Sequence, residues 1–181
     1  LRGLIKPRDL VVAVYQSCFD WLALCPRDLN YVSTGAMGQA SSHALGLAIG
    51  SPDRQVIVLD GDGSLLMNLG SLVTIATVRP HHFLHIVFEN GVYEVNGEHP
   101  TPGAGHVKFA AMAKAAGYQK AVCFSELEAF EAALPALLAA EGPVMAVLKI
   151  IPGEDYPRDY AYIHSSATRE KFRAALNRID G

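Results

Sequence analysis

The sequence has 181 residues, of which 50% are hydrophobic and 18% charged, and fifteen Lys and Arg against eighteen Asp and Glu give a net charge of −3. A chain of this size buries enough surface for a full core, so we expect one domain over residues 1–181. The composition is typical neither of a disordered chain nor of a nucleic-acid-binding protein. With three cysteines, no secretory signal and no membrane-spanning apolar run, we expect a cytoplasmic protein with reduced thiols.

Apolar runs of strand length alternate with helical stretches along the chain, which predicts an α/β fold: a three-layer parallel sheet with helices on both faces. The chain opens with the pattern of an amphipathic helix over about 7–25, beginning at Pro7, and it ends with a helical tail over about 165–179. Ser125 and Glu128 have the spacing of a capping box. The predicted strands between the two terminal helices are LNYVS, QVIVLD, FLHIVFE, KAVCF and PVMAVLKI. Segment 90–105 is a long loop, of the kind that is usually functional.

Three of the predicted strands end in unusual sequences. TGAMG follows the strand near Val32, DGDGS follows Leu59, and ENGVY follows Phe88. In parallel α/β sheets ligands bind beyond the carboxyl ends of the strands. We therefore expect residues 35–38, 62–64 and 90–93 to line one crevice.

The residue types at these strand ends fit a metal ion with a phosphate group. Carboxylates at the end of a buried strand repel each other, so a positive or protonated group belongs beside Asp60 and Asp62. Mg²⁺ prefers oxygen ligands, which Asp62, Asn90 and a carbonyl of the turn after Asn90 can supply. Glycines allow close backbone approach, and amides of a helix opening at Ser64 can bind phosphate. The pattern predicts a magnesium-diphosphate site.

The GDGS sequence, followed by an asparagine 28 positions after Asp62, resembles the cofactor motif of thiamine-diphosphate enzymes. Over about 34–101 the chain is similar to the sulfopyruvate and phosphonopyruvate decarboxylase group. The resemblance implies thiamine diphosphate and Mg²⁺ as cofactors and decarboxylation of a small anionic 2-oxoacid as the reaction.

The same resemblance assigns roles to particular residues. It implies that the metal ligands are Asp62, Asn90 and the backbone carbonyl of Val92. It implies that the cofactor is held by Gly35, Met37, Gly61, Gly63, Ser64 and Asn90. In this family the residue at the position of Gly35 accepts a hydrogen bond from the cofactor's amino group, and the one at Met37 wedges beneath the bent cofactor.

Two positions depart from the family pattern. Glu89 stands where an asparagine is usual, and the loop EVNGEHPT differs from the Gly-Gly-Gln-Pro-Thr type, so the resemblance leaves the substrate open. In that loop Glu98 and His99 are candidate substrate contacts. The remaining histidines lack zinc-ligand spacing and are expected in surface or core roles.

In such enzymes a second domain supplies the glutamate that activates the cofactor, and the resemblance covers only the diphosphate-binding half. We therefore expect a partner subunit with the pyrimidine-binding domain, in an α/β hetero-oligomer, and we assign no catalytic residue within this chain. No nucleic-acid or membrane partner is expected.

Three alternative interpretations remain open at this point. The chain fits a subunit of an acetolactate-synthase-like carboligase, or a cofactor-binding subunit without catalysis. DGDGS also resembles the D-x-D-G-[TS] motif of haloacid-dehalogenase-type phosphatases, in which Asp60 would be the nucleophile and Asp62 the general acid.

Overall fold

The computed structural model describes residues 1–32, 34–154 and 156–179. The strands of its main sheet are β1 Leu10–Ala13, β2 Asn30–Tyr31, β3 Val56–Gly61, β4 Phe83–Glu89, β7 Lys120–Phe124 and β8 Val144–Lys149. A separate short pair consists of β5 Val92–Tyr93 and β6 His99–Pro100. Within the described residues, six of these form one sheet in the order β2-β1-β3-β4-β8-β7. Every pairing in that sheet is parallel. The predicted parallel sheet is confirmed.

Helices cover both faces of the sheet. They are α1 Tyr15–Leu24, α2 Ala40–Gly50, α3 Asp62–Leu66, α4 Ser71–Val78, α5 Phe109–Ala116, α6 Leu127–Ala139, α7 Tyr160–His164 and α8 Ser166–Ile179. Side chains alternate between the two faces of a strand. Along β1, Leu10 and Val12 therefore pack with α2, α4, α5 and α8. Val11 and Ala13 pack with α1, α6 and α7, which gives the three-layer arrangement.

The predicted N-terminal helix over 7–25 is wrong in its first half. Leu10–Ala13 is a strand, and only Tyr15–Leu24 is helical. A short apolar run fits a buried strand and a buried helix equally well. Pairing decides between them, because β1 lies between β2 and β3 and buries all four of its residues.

Of the other predicted helix boundaries, one agrees with the structure and one does not. The C-terminal helix, Ser166–Ile179, agrees with the prediction to within one residue. The capping box is wrong: α6 begins at Leu127, its N-cap is Glu126, and no side chain caps it, so Ser125 lies one residue too early. Segment 90–105 is an ordered turn rather than a plain loop, because it contains the β5–β6 pair and the 3-10 helix Glu94–Asn96.

The three cysteines are free, and burial raises the pKa of the Cys18 thiol to about 12. Across the described ranges, no helix is both long and apolar enough to cross a membrane.

Candidate functional site

A crevice opens at the carboxyl edge of the sheet, where β1, β3 and β4 end side by side. It encloses a cavity of about 560 Å³. The end of β1 contributes Val14 and Tyr15, the end of β3 contributes 61–64, and the end of β4 contributes Phe88 and Asn90. The crevice forms because parallel neighbours end at the same edge.

Asp62 is the buried carboxylate of this cavity. It begins α3 directly after β3 and is only 3% exposed. Its Oδ1 accepts a hydrogen bond from the Gly63 N–H at 2.9 Å, and its Oδ2 accepts from the Gly91 N–H at 2.9 Å and from the Thr101 hydroxyl at 3.5 Å. Burial raises the pKa of Asp62, and the backbone hydrogen bonds partly oppose this shift. Protons therefore compete with a cation for the Asp62 carboxylate at higher pH than they would at an exposed aspartate.

Asn90 lies at the end of the neighbouring strand. Its Oδ1 accepts a hydrogen bond from the Val92 N–H at 3.0 Å, and its Nδ2 donates to Glu94 Oε2 at 2.8 Å. The Gly91 N–H that bonds Asp62 belongs to the next residue, so the two predicted ligands are linked through one peptide. Val92 also lines the cavity.

The start of α3 is packed closely against its surroundings. A Cβ at Gly63 would lie 2.6 Å from two ring carbons of Tyr93. The Ser64 hydroxyl accepts a hydrogen bond from the Gly38 N–H at 2.9 Å, which ties the end of β3 to the first glycine-rich turn. Gly35 and Gly38 have φ of +80° and +82°, a region that favours glycine.

Not every predicted residue reaches the cavity. Met37 is half-buried and lines it, whereas Gly35 is exposed in the turn beside it. Glu98 and His99 are exposed on the β5–β6 turn and are not among the described residues that line the cavity. The residues that do line it from the predicted set are Met37, Gly61, Asp62, Gly63, Ser64, Asn90 and Val92.

The charged side chains that line the cavity in the described part of the chain are all acidic. Asp20, Asp62, Glu94 and Glu154 line it, and the described lining contains no lysine, arginine or histidine. The described chain also has no group of three or more His, Cys, Asp or Glu that could hold a metal ion. A cation here would thus be bound by few carboxylates, with amide, carbonyl or ligand oxygens completing its shell.

The wall of the cavity formed by α1 carries a hydrogen-bonded cluster. The Tyr156 hydroxyl donates to Asp20, the Gln16 amide donates to Asp20 at 3.2 Å, and Arg158 donates to the Gln16 oxygen at 2.8 Å. Burial and then the bond to Asp20 raise the pKa of Tyr156 to about 12, so this phenol stays protonated. Trp21, the only tryptophan of the sequence, lines the same wall.

Asp60 faces the protein interior. It is fully buried, and His85 Nε2 lies 3.2 Å from its Oδ2. A phosphatase nucleophile must reach its substrate. Asp60 is outside the cavity lining, so the geometry does not support the phosphatase interpretation.

Sequence reasoning missed three contacts in this region. Glu94 and Thr101 bond the predicted ligands directly. Glu89, unexplained by the motif, lies opposite Lys149 in the β4–β8 pairing and forms an ion pair with it at 3.4 Å. The dipeptides Tyr93-Glu94 and Pro100-Thr101, at the two ends of this turn, were the sequence signal for the first two contacts. Only the pairing of β5 with β6 brings them to the site.

This fold and site define an α/β ligand-binding domain with its crevice at the carboxyl edge of a parallel sheet. The chain belongs to the thiamine pyrophosphate enzymes, because the profile of the thiamine pyrophosphate enzyme C-terminal TPP binding domain matches residues 16–148. Membership of this family supports thiamine diphosphate as the ligand.

Two curated relatives are decarboxylases. The chain is 38% identical over 149 residues to a phosphonopyruvate decarboxylase of Streptomyces viridochromogenes, covering 81% of this chain and 37% of that protein. It is 37% identical to the sulfopyruvate decarboxylase subunit beta of Methanocaldococcus jannaschii, covering 70% of this chain and 66% of the subunit. It thus spans less than two thirds of each.

Among solved structures, a candidate thiamin diphosphate-dependent enzyme from Mycobacterium smegmatis matches with a TM-score of 0.71. The match covers 84% of this chain and 30% of that one, at 23% identity. At this identity the likeness supports the fold alone, and it agrees with the predicted thiamine-diphosphate-binding fold.

Proposed function

We propose that this chain is the diphosphate- and Mg²⁺-binding part of a thiamine-diphosphate-dependent 2-oxoacid decarboxylase that acts on a small anionic substrate such as sulfopyruvate or phosphonopyruvate. The observation that carries the proposal is the pairing of Asp62 with Asn90 at adjacent strand ends of one cavity, linked by the Gly91 N–H. The two relatives named above are both decarboxylases of such substrates, which favours decarboxylation over carboligation.

The residues present fit a magnesium-diphosphate group. Asp62 offers a carboxylate oxygen, Asn90 an amide oxygen and Val92 a backbone carbonyl, and this all-oxygen set is what Mg²⁺ prefers. The described cavity lining has no cationic side chain to balance a diphosphate. A metal ion is therefore the natural counter-charge, and the α3 amides add the favourable end of a short helix.

Each remaining residue has a binding role in this proposal. Gly63 has no side chain, so its backbone can approach the diphosphate, and the Ser64 hydroxyl, which accepts from Gly38, can donate its own proton to a phosphate oxygen. Gly61 lies beside them. Met37 would pack beneath the cofactor, and the carbonyl of Gly35 would accept from its amino group.

Thiamine diphosphate held by these residues would supply the nucleophilic carbon and the electron sink that decarboxylation of a 2-oxoacid requires. Trp21, Leu59 and Phe88 give the cavity part of its apolar lining, which would limit the access of water to the bound cofactor. The family's activating glutamate would come from a facing pyrimidine-binding region, carried by a partner subunit or by another segment of the same polypeptide.

The first test uses Trp21 as a built-in reporter of the cavity. Titrating the chain with thiamine diphosphate and Mg²⁺ should change its fluorescence, and Asp62→Ala should abolish the Mg²⁺-dependent part. The physical reason is that Asp62 is the only formal negative charge in the proposed metal shell.

Asp20→Asn is the matched control, since it changes a carboxylate of α1 that lines the same cavity and is not in the proposed metal shell. It should bind the metal and cofactor within about 3-fold of the wild type, as a screened charge outside the metal shell would. Normal Mg²⁺-dependent binding by Asp62→Ala would contradict the proposal.

A further inference from the structure

Glu94 uses its two carboxylate oxygens for two different partners. It begins the 3-10 helix that follows β5, and its side chain lines the cavity. Its Oε2 accepts from Asn90 Nδ2 at 2.8 Å, and its Oε1 accepts from the Gly153 N–H at 3.2 Å. One carboxylate therefore joins the end of β4 to the segment that follows β8.

The contact with Asn90 determines which way the amide points. An ionised carboxylate only accepts hydrogen bonds, so it selects the NH₂ end of the asparagine. The oxygen end is then directed to the Val92 N–H, 3.0 Å away. An amide oxygen has two lone pairs, and that single bond leaves one free for a cation.

The bond to Gly153 fixes the carboxylate itself. Without it, a half-buried glutamate has several rotamers, and the Asn90 contact would be one of many. With both oxygens engaged, the Glu94 side chain is fixed in one orientation between two backbone segments. Groups that orient a metal ligand in this way act on metal affinity without touching the metal.

We infer that Glu94 is a positioning residue, which orients the Asn90 amide so that its oxygen faces the cation. This inference rests on the proposed function and deepens it, because it names a residue that controls metal affinity from outside the metal shell. It also gives the segment around Gly153 a part in the site, through the Glu94 carboxylate.

The test is a Mg²⁺ titration of the full chain at saturating thiamine diphosphate, followed by Trp21 fluorescence. Glu94→Ala should raise the half-saturating Mg²⁺ concentration by about 10-fold or more, in the range typical of lost outer-shell partners. Glu94→Gln should fall between the wild type and Glu94→Ala, because its one oxygen can still accept from Asn90 while its NH₂ group cannot accept from the Gly153 N–H. Glu154→Ala removes a charge from the same cavity and should leave the value nearly unchanged.

A double-mutant cycle separates positioning from other roles. If Glu94 acts through Asn90, adding Glu94→Ala to Asn90→Ala should weaken Mg²⁺ binding by less than about 2-fold further, the mark of two strongly coupled sites. Circular dichroism of each variant reports whether it has folded, and Glu94→Gln serves as the folded reference.

The possible results distinguish a failure of the Glu94 inference from a failure of the proposed function. A Glu94→Ala variant with wild-type Mg²⁺ affinity, a Glu94→Gln variant as weak as Glu94→Ala, or independent effects in the cycle would each overturn this inference while leaving the proposed function in place. A wild-type chain without any Mg²⁺-dependent response would overturn the proposed function and this inference with it.

Discussion

Gly63 illustrates how a single missing side chain shapes the site. A Cβ added at its neighbour Gly61 would meet open space, whereas a Cβ at Gly63 would meet the Tyr93 ring at 2.6 Å and the Thr101 methyl at 3.2 Å. Thr101 is also bonded to Asp62. The packing that excludes a side chain at Gly63 therefore also holds the proposed metal ligand.

Gly63→Ala should consequently damage both stability and binding. Displacing the Tyr93 ring should cost about 1–3 kcal/mol in the free energy of unfolding, as overpacking usually does. Urea denaturation of the cofactor-free chain measures this cost, and Trp21 fluorescence measures the accompanying loss of cofactor affinity.

Gly61→Ala is the control for that change, because Gly61 has a negative φ and free space. It should change the free energy of unfolding by no more than about 0.5 kcal/mol. Equal destabilisation by the two substitutions would show that the Tyr93 contact is not the cause.

At this scale, spacing alone predicted which residues meet but not how they are held. Asp62 and Asn90 follow adjacent strands, so the parallel sheet brings them together, and the motif was sufficient to find them. Glu94 and Thr101 reach the same point only through the β5–β6 pair, whose two-residue strands have no periodicity to detect.

Between the central strands β3 and β4 lies a buried polar pair. Asp60 and His85 are both 0% exposed, their side chains lie 3.2 Å apart, and the Tyr118 hydroxyl lies 3.4 Å from the other nitrogen of His85. Asp60 also accepts from the Gly61 N–H at 3.0 Å. Since each buried group depends on its partner, removing one leaves the other unsatisfied.

Asp60→Leu and His85→Leu should each lower the free energy of unfolding by about 2 kcal/mol or more, the cost of a buried polar group without its partner. The double substitution should cost at least about 1 kcal/mol less than the sum of the single ones, because it removes both polar groups at once. Urea denaturation of the metal-free chain gives all three values. Strict additivity would mean that the two side chains do not support each other.

At the scale of elements, the sequence predicted the central strands and missed β1. Strands β3 and β8 are continuous apolar runs with polar residues at their ends, and the apolar run of β4 is interrupted only by His85, so their lengths were readable. The apolar run of β1 continues directly into α1 with no glycine or proline between them, and the chain changes direction at Tyr15, the first residue of α1, which has φ +45°. The boundary thus depends on tertiary pairing rather than on local sequence.

For the molecule as a whole, the acidic lining of the cavity bears on how the proposed anionic substrate would be attracted. A diphosphate and a charged 2-oxoacid together would bring more negative charge than one Mg²⁺ balances. The charged side chains of the described lining are all acidic and add to this excess. The mouth is also apolar, with Leu24 58% and Ile151 85% exposed. In the proposed assembly, a facing region that covered this mouth would supply both a cation for the substrate and the activating glutamate.

The chain alone should therefore bind its cofactor but not turn over. With thiamine diphosphate, Mg²⁺ and sulfopyruvate, phosphonopyruvate or pyruvate, we expect the Trp21 signal of binding and no CO₂ release above the rate of free cofactor. The assembly purified through a tag on this chain should decarboxylate, and it should prefer the two anionic substrates over pyruvate, because the facing region would supply their counter-charge. CO₂ release in a coupled assay measures both preparations under the same conditions. Decarboxylation by the isolated chain at the rate of the assembly would mean that the catalytic groups lie within this chain, and the proposed division between two facing regions would then be wrong.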